Sequence, residues 1–223
     1  MSRPVLVVDD HVLFAQSIAL ALEALGSRVV LVAPDSAGAV LDACRDAAPA
    51  TVLLDLRLGP AVDGTALHGL DLVADVVATG CRVVVLTGEQ GDDVWGTAVE
   101  RGATAVLPKD VDLTVLAETV RRVQAGEDVL DVGRRHELLA AARRARGERT
   151  ARLAAFEQLS PRESQVLRLL ASGLAASGIA TAAHVSEATV RTQIRAVLSK
   201  LGVQSQLQAV ALARRAGWLD LVD

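Results

Sequence analysis

Five polar residues in the first half of the chain stand where apolar runs stop. Asp9 and Asp10 follow PVLVV, Asp55 follows TVLL, Thr87 follows CRVVVL, and Lys109 follows AVLP. If each run is a strand of one open parallel sheet, these residues meet at the carboxyl ends of the strands, where such sheets bind ligands. Three carboxylates in one crevice repel each other unless a cation neutralises them. Hard oxygen donors in a small crevice suit Mg2+, which keeps several waters and shares a phosphate oxygen. A hydroxyl and an ammonium on neighbouring strand ends complete a ring for a phosphoryl group. Phosphoryl transfer asks mainly for such positioning and charge neutralisation.

A second set lies near the C-terminus. Arg191, Arg195 and Ser199 recur every four residues with Thr192 beside them, while Val190, Ile194, Val197, Leu198 and Leu201 make an apolar stripe. A helix with these two faces, following a short turn, has the form in which helix-turn-helix proteins enter the major groove. Arg takes guanine O6 and N7 together, and Thr touches a thymine methyl.

The elements that would position the first set alternate. Residues 4–8, 28–33, 51–54, 81–86 and 103–107 read as strands, and 11–25, 35–47, 65–78, 92–101 and 112–125 as helices; LRLGPAVDG after Asp55 reads as a loop. The strands are continuous apolar runs, as in a parallel sheet covered on both faces, and the alternation predicts a doubly wound fold. Residues 131–155 are Ala/Arg-rich with a net charge of +4. They read as a helix-prone linker whose Arg143, Arg144, Arg146, Arg149 and Arg152 are either a solvated basic connector or phosphate contacts. Ser160-Pro161-Arg162-Glu163 is a capping box with proline at the first helical position. Helices are expected from there to Ala171, over 176–183, over 187–201 (stopped by Gly202), and over 205–216, the middle two forming a helix-turn-helix.

Composition narrows the function further. The 223 residues, 51% apolar and 22% charged, predict one large or two modest domains and exclude global disorder. No apolar run approaches the ~18 residues of a membrane span, and the N-terminus lacks the parts of a signal peptide, so a cytoplasmic protein is expected. Cys44 and Cys81 have no metal or disulfide spacing and read as reduced core residues. With 2% aromatics there is little material for base-stacking platforms. The net charge of −4 is divided: residues 1–130 carry −10 and residues 131–223 carry +6, an acidic half joined to a basic one.

The first 125 residues resemble a response-regulator receiver domain in the motifs VVDD, LLDLRLG, VVLTG and AVLPK. The resemblance implies a flavodoxin-like, doubly wound five-stranded parallel sheet over a domain of residues 1–128. It implies that Asp55 is the phosphoacceptor, that Asp9, Asp10, Asp55 and the backbone carbonyl of Arg57 hold Mg2+, and that Thr87 and Lys109 bind the phosphoryl group. His11 reads as a rim residue. Two features depart from the pattern: the loop after Asp55 is longer than usual, and Val106 stands where receivers commonly carry an aromatic switch residue. The coupling in which that ring turns inward as the Thr moves cannot operate here in its usual form.

Residues 159–212 resemble the LuxR/NarL-type DNA-binding domain in LSPRE, VLRLLASG, VSEATVRT, KLGV and QAV. This implies a small all-α helix-turn-helix domain over 156–223, after a basic helical linker at 129–155. It also implies base contacts by Arg191, Thr192 and Arg195, a phosphate contact by Lys200, and pairing through the last helix. Here too there are departures. Ala176-Ser177-Gly178 replaces the usual Asn-Lys-Glu, Gln193 a His, and Gln206 an Arg; residues 156–223 carry only +2.

The chain is therefore expected to be a two-component transcription regulator rather than an enzyme. A sensor histidine kinase would load Asp55, and the homodimer would bind double-stranded promoter DNA. The alternative is a LuxR-type regulator that works without phosphorylation, constitutively or under a small ligand.

Overall fold

A computed structural model describes residues 3–219 of the chain. Residues 1–2 and 220–223, the outer ends of the two expected domains, lie outside the described residues. The chain divides into two compact units, the first ending at Arg144 and the second beginning at Ala145.

In chain order the first unit contains β1 (Val5–Val8), α1 (Val12–Ala24), β2 (Val29–Val32), α2 (Ala37–Ala47), β3 (Thr51–Asp55), β4 (Arg57–Pro60), β5 (Ala66–His68), α3 (Gly69–Ala78), β6 (Arg82–Thr87), α4 (Asp92–Glu100), β7 (Ala105–Pro108) and α5 (Leu113–Ala125). The main sheet is parallel with strand order β2-β1-β3-β6-β7. Strands β1 and β3 are buried along their whole length because helices cover both faces. Alternate side chains feed two cores. Leu6, Val8, Val52, Leu54, Val83 and Val85 pack on one face; Val5, Val7, Leu53, Val84 and Leu86 pack on the other. Cys44 and Cys81 lie in the first of these cores, with the Cys81 thiol donating to the Cys44 carbonyl at 3.4 Å. Burial, reinforced by Cys81, pushes the Cys44 thiol up to about 12, so it is an inert core residue.

One expected element is different. The segment after Asp55 is not a plain loop but an antiparallel ribbon of β4 and β5, so helix α3 begins at Gly69 rather than near residue 65. The turn at its tip is built locally: Thr65 donates through its backbone N–H and its hydroxyl to Asp63, and Gly64 takes a φ of +83°.

Helix α6 (Val132–Glu157) crosses the boundary between the units. The expected linker is thus one long helix, whose first half packs within the first unit through Leu138. The second unit continues with α7 (Pro161–Ala171), α8 (Ala176–Ala182), α9 (Glu187–Leu201) and α10 (Gln206–Ala216). Ser160 and Glu163 close the capping box at α7, Ser186 caps α9, and Gly202 ends α9 at a φ of +65°. Among the described residues no helix is long and apolar enough to cross a membrane.

Candidate functional site

The strand order places the ends of β1, β3, β6 and β7 side by side, so the five polar residues chosen from sequence converge. Asp9, Asp55 and Thr87 are buried, and Asp10 lies at the exposed edge. The Lys109 ammonium bridges Asp55 Oδ2 and Asp9 Oδ2, 2.7 Å from each, and lies 4.9 Å from the centre of the Phe14 ring. Burial pushes the Asp55 carboxyl above its ordinary value; the Lys109 hydrogen bond works against that shift and the Asp9 charge adds to it. For Lys109, burial pulls downward, but the hydrogen bonds to Asp55 and Asp9 outweigh it and its pKa is raised. The ammonium therefore stays charged and fixed between the two carboxylates.

Oxygen atoms of Asp9, Asp10 and Asp55 and a ring nitrogen of His11 all lie within 4.8 Å of one another. The carboxylates are the hard donors that Mg2+ takes, so the residues fit that ion. His11 is nearer the cluster than a rim position implies. Its backbone N–H donates to Asp9 Oδ1 at 2.8 Å, and its Nδ1 lies 2.8 Å from Asp10 Oδ1, although the side chain is 66% exposed.

Four residues that sequence reasoning passed over complete the surroundings. A Cβ on Gly69 would meet the Asp55 carbonyl oxygen at 1.8 Å, so glycine lets α3 begin directly against the strand that carries Asp55. Glu89 lies two residues beyond Thr87, and its backbone N–H donates to Thr87 Oγ1 at 3.0 Å. Its carboxylate accepts from Arg57 Nε at 2.9 Å, with His68 Nε2 at 3.9 Å, which ties the ribbon to the β6–α4 loop. Its carbonyl accepts from Trp95 Nε1 at 2.9 Å. Trp95 is one of only two tryptophans in the chain. That rarity, and the position of Glu89 just past a strand-end Thr, were the available signals. Val106 is buried in the core, as a small aliphatic residue can be.

In the second unit Arg191, Thr192 and Arg195 lie exposed on α9 opposite the buried Val190, Ile194, Val197 and Leu201. Arg191 is bound to Glu187 one turn earlier, and the Thr192 hydroxyl donates to the Ala188 carbonyl at 3.0 Å. Arg195 has no partner among the described residues. Lys200 is engaged with Glu163, Nζ to Oε2 at 2.6 Å, and the same oxygen accepts the Ser160 N–H at 2.7 Å. One carboxylate thus ties α9 to the start of α7. The Lys200 hydrogen bond, helped by Ser160, holds the Glu163 carboxyl below its ordinary value.

Comparison with known proteins finds relatives of both units. The response regulator receiver domain family matches residues 5–121, and the luxR family of bacterial regulatory proteins matches residues 157–213. A nitrate/nitrite response regulator protein homolog of Haemophilus influenzae is 32% identical over 93% of this chain and 94% of its own length. The nitrate/nitrite response regulator protein NarP of Escherichia coli is 34% identical over 93% of each chain. Among solved structures, the two-component response regulator RcsB in its complex with DNA is similar in fold, at 21% identity over 96% of this chain and 98% of that one, with a TM-score of 0.51. With the receiver fold at its N-terminus and the luxR-type helices at its C-terminus, the chain belongs to the response regulators, a family of transcription regulators rather than enzymes.

Proposed function

We propose that Asp55 accepts a phosphoryl group from the phosphohistidine of a sensor kinase, and that loading it turns the chain into a promoter-binding homodimer. The observation that carries this is the Lys109 ammonium held between buried Asp55 and Asp9. An Asp55 carboxylate oxygen attacks phosphorus in line, the bond from phosphorus to the imidazole nitrogen breaks, and the imidazole leaves with the electron pair. Lys109 and the Thr87 hydroxyl hold the phosphoryl oxygens as charge spreads over them. Asp9, Asp10, Asp55 and the Arg57 carbonyl would hold Mg2+, which supplies the remaining positive charge on the transferred group.

Thr87 cannot signal to an aromatic ring at position 106, but it has another listener. Drawing its hydroxyl toward a phosphoryl oxygen withdraws the acceptor of the Glu89 N–H, and Glu89 carries both Trp95 and Arg57. This route runs into α4 and supports phosphorylation control in a chain that carries Val106. In the second unit α9 enters the major groove. Arg191, Thr192 and Arg195 face base edges, and dimers pair through α10; Lys200, bound to Glu163, reaches a phosphate only by sharing its charge. The DNA-bound state of RcsB and the transcription-regulator name of a 31% identical Mycobacterium tuberculosis relative support this half of the reading.

The test is the mass in solution, by sedimentation, with and without Mg2+ and beryllofluoride. Wild type should shift from monomer to dimer and Asp55→Asn should not. An unchanged wild-type mass, with DNA binding intact, would transfer the chain to the phosphorylation-independent class.

A further inference from the structure

His11 borders the acidic site, and the phosphoryl chemistry gives it no task. It stands at the N-cap of α1, yet its imidazole makes no capping hydrogen bond to that helix. Instead Nδ1 lies 2.8 Å from Asp10 Oδ1 and 3.2 Å from Asp9 Oδ1. The backbone holds the residue there, its N–H donating to the same Asp9 oxygen at 2.8 Å. The other carboxylate oxygens have different neighbours. Lys109 takes Oδ2 of both Asp9 and Asp55. A Cβ on Gly59 would stand 3.1 Å from Asp10 Oδ2, so the β4–β5 ribbon runs close beside that atom. Oδ1 of Asp9 and Oδ1 of Asp10 are thus the atoms turned toward the imidazole.

These separations carry a meaning in metal chemistry. Ligands about 2.1 Å from an octahedral ion stand about 3.0 Å from their neighbours and about 4.2 Å from their opposites. The two Oδ1–Nδ1 distances match neighbouring positions. One donor atom each from Asp9, Asp10, His11 and Asp55 lie within 4.8 Å of one another, so a single ion can reach all four with small side-chain adjustments. The set is one imidazole nitrogen among carboxylate oxygens. Mg2+ is held through oxygen, whereas imidazole suits first-row transition dications, whose affinity for mixed nitrogen and oxygen donors rises from Mn2+ toward Cu2+.

From this we infer that His11 Nδ1 is a fourth side-chain ligand of the site, which therefore takes a first-row transition dication in preference to Mg2+. The inference rests on the reading of Asp9, Asp10 and Asp55 as the metal-holding carboxylates and adds a ligand to them. A hydrogen bond from Nδ1 to Asp10 has the same length, but it would set His11 against every cation alike and choose no ion.

The experiment titrates the untagged full chain with Mn2+, counting the free ion by its electron paramagnetic resonance, and then with Mg2+, followed by its displacement of bound Mn2+. His11→Gln keeps a hydrogen-bonding side chain and removes the imidazole. In that variant Mn2+ affinity should fall about tenfold, the lower end of what losing a hydrogen-bond partner of a metal ligand costs, while Mg2+ affinity should hold. Pulsed resonance of wild-type Mn2+ should show the nitrogen modulation of a bound imidazole, and the variant should lack it. Circular dichroism should be unchanged, because the side chain is exposed and caps nothing. An unchanged Mn2+ affinity, an equal shift for both ions, or wild-type Mn2+ without nitrogen modulation overturns this inference and leaves the carboxylate Mg2+ site standing. Failure of the wild type to bind either ion overturns both.

Discussion

Gly69 and Glu163 are single residues on which larger arrangements depend. Any side chain on Gly69 drives its Cβ into the Asp55 backbone, which cannot yield without moving the carboxylate. Gly69→Ala should cost about 1–3 kcal/mol in thermal unfolding, as overpacking does. It should also slow labelling of Asp55 by acetyl phosphate far more than the stability loss explains. Unchanged labelling would mean that α3 can slide without disturbing the site. Glu163 closes the α7 cap and binds Lys200 with one oxygen. Glu163→Ala should destabilise the second unit by about 1–2 kcal/mol, mostly through the cap, since the Lys200 ammonium is open to solvent and its share is screened. The folded-state pKa of Glu163 is depressed. Its stabilisation is therefore complete above the ordinary glutamate range and is lost as pH falls through the lowered value. Melting of the variant should flatten in that acid window, where the wild type still declines. The five residues at the strand ends were legible because apolar runs stop at each of them. Gly69 and Glu89 were not, since a glycine's close neighbour and a backbone hydrogen bond leave no mark in residue spacing.

At the scale of elements, α4 joins the site to α6. A Cβ on Gly96 would meet the Leu138 carbonyl oxygen at 1.9 Å, so the two helices touch backbone to backbone, and Arg134 of α6 is hydrogen-bonded through both Nη atoms to Asp92 of α4. Trp95 lies next to that contact and is held by the Glu89 carbonyl. With Trp218→Phe, Trp95 becomes the sole tryptophan, and beryllofluoride with Mg2+ should change its emission. The response should disappear in Thr87→Ala; a response that survives would show that the signal bypasses Glu89. Gly147 has nothing within 4 Å of where a Cβ would stand, three residues past the division between the units. No packing demands it, and glycine costs a helix interior about 1 kcal/mol relative to Ala. Gly147→Ala should raise protection of the adjacent amides in hydrogen exchange by about fivefold, that energy expressed as a local opening constant. The capping box and the two faces of α9 could be read in advance because helix starts and amphipathic stripes are local. The β4–β5 ribbon could not, because its pairing joins Arg57 to His68 across a glycine- and proline-containing stretch that resembles a loop.

On the scale of the whole molecule, charge opposes what loading must achieve. The unit ending at Arg144 carries −8 and the one beginning at Ala145 carries +4. Phosphorylation adds further negative charge to the acidic unit, so it cannot strengthen DNA binding by simple attraction. The proposed pairing can: two copies of α9 on one duplex would make the second contact intramolecular, and its effective concentration would replace charge as the source of affinity. Two outcomes follow from this difference. At about 0.01 M salt, where charges act over about 30 Å, the full chain should bind random duplex more weakly than residues 145–223 alone, and the gap should close near 0.15 M, where the reach is about 8 Å. Beryllofluoride with Mg2+ should tighten binding to a duplex of about 30 base pairs but leave a duplex of about 12 unchanged, because half-sites one helical turn apart do not fit on the short one. Equal tightening on both lengths, measured by anisotropy at 0.15 M salt, would mean that loading acts on each monomer's own DNA-binding surface and that pairing is incidental to the switch.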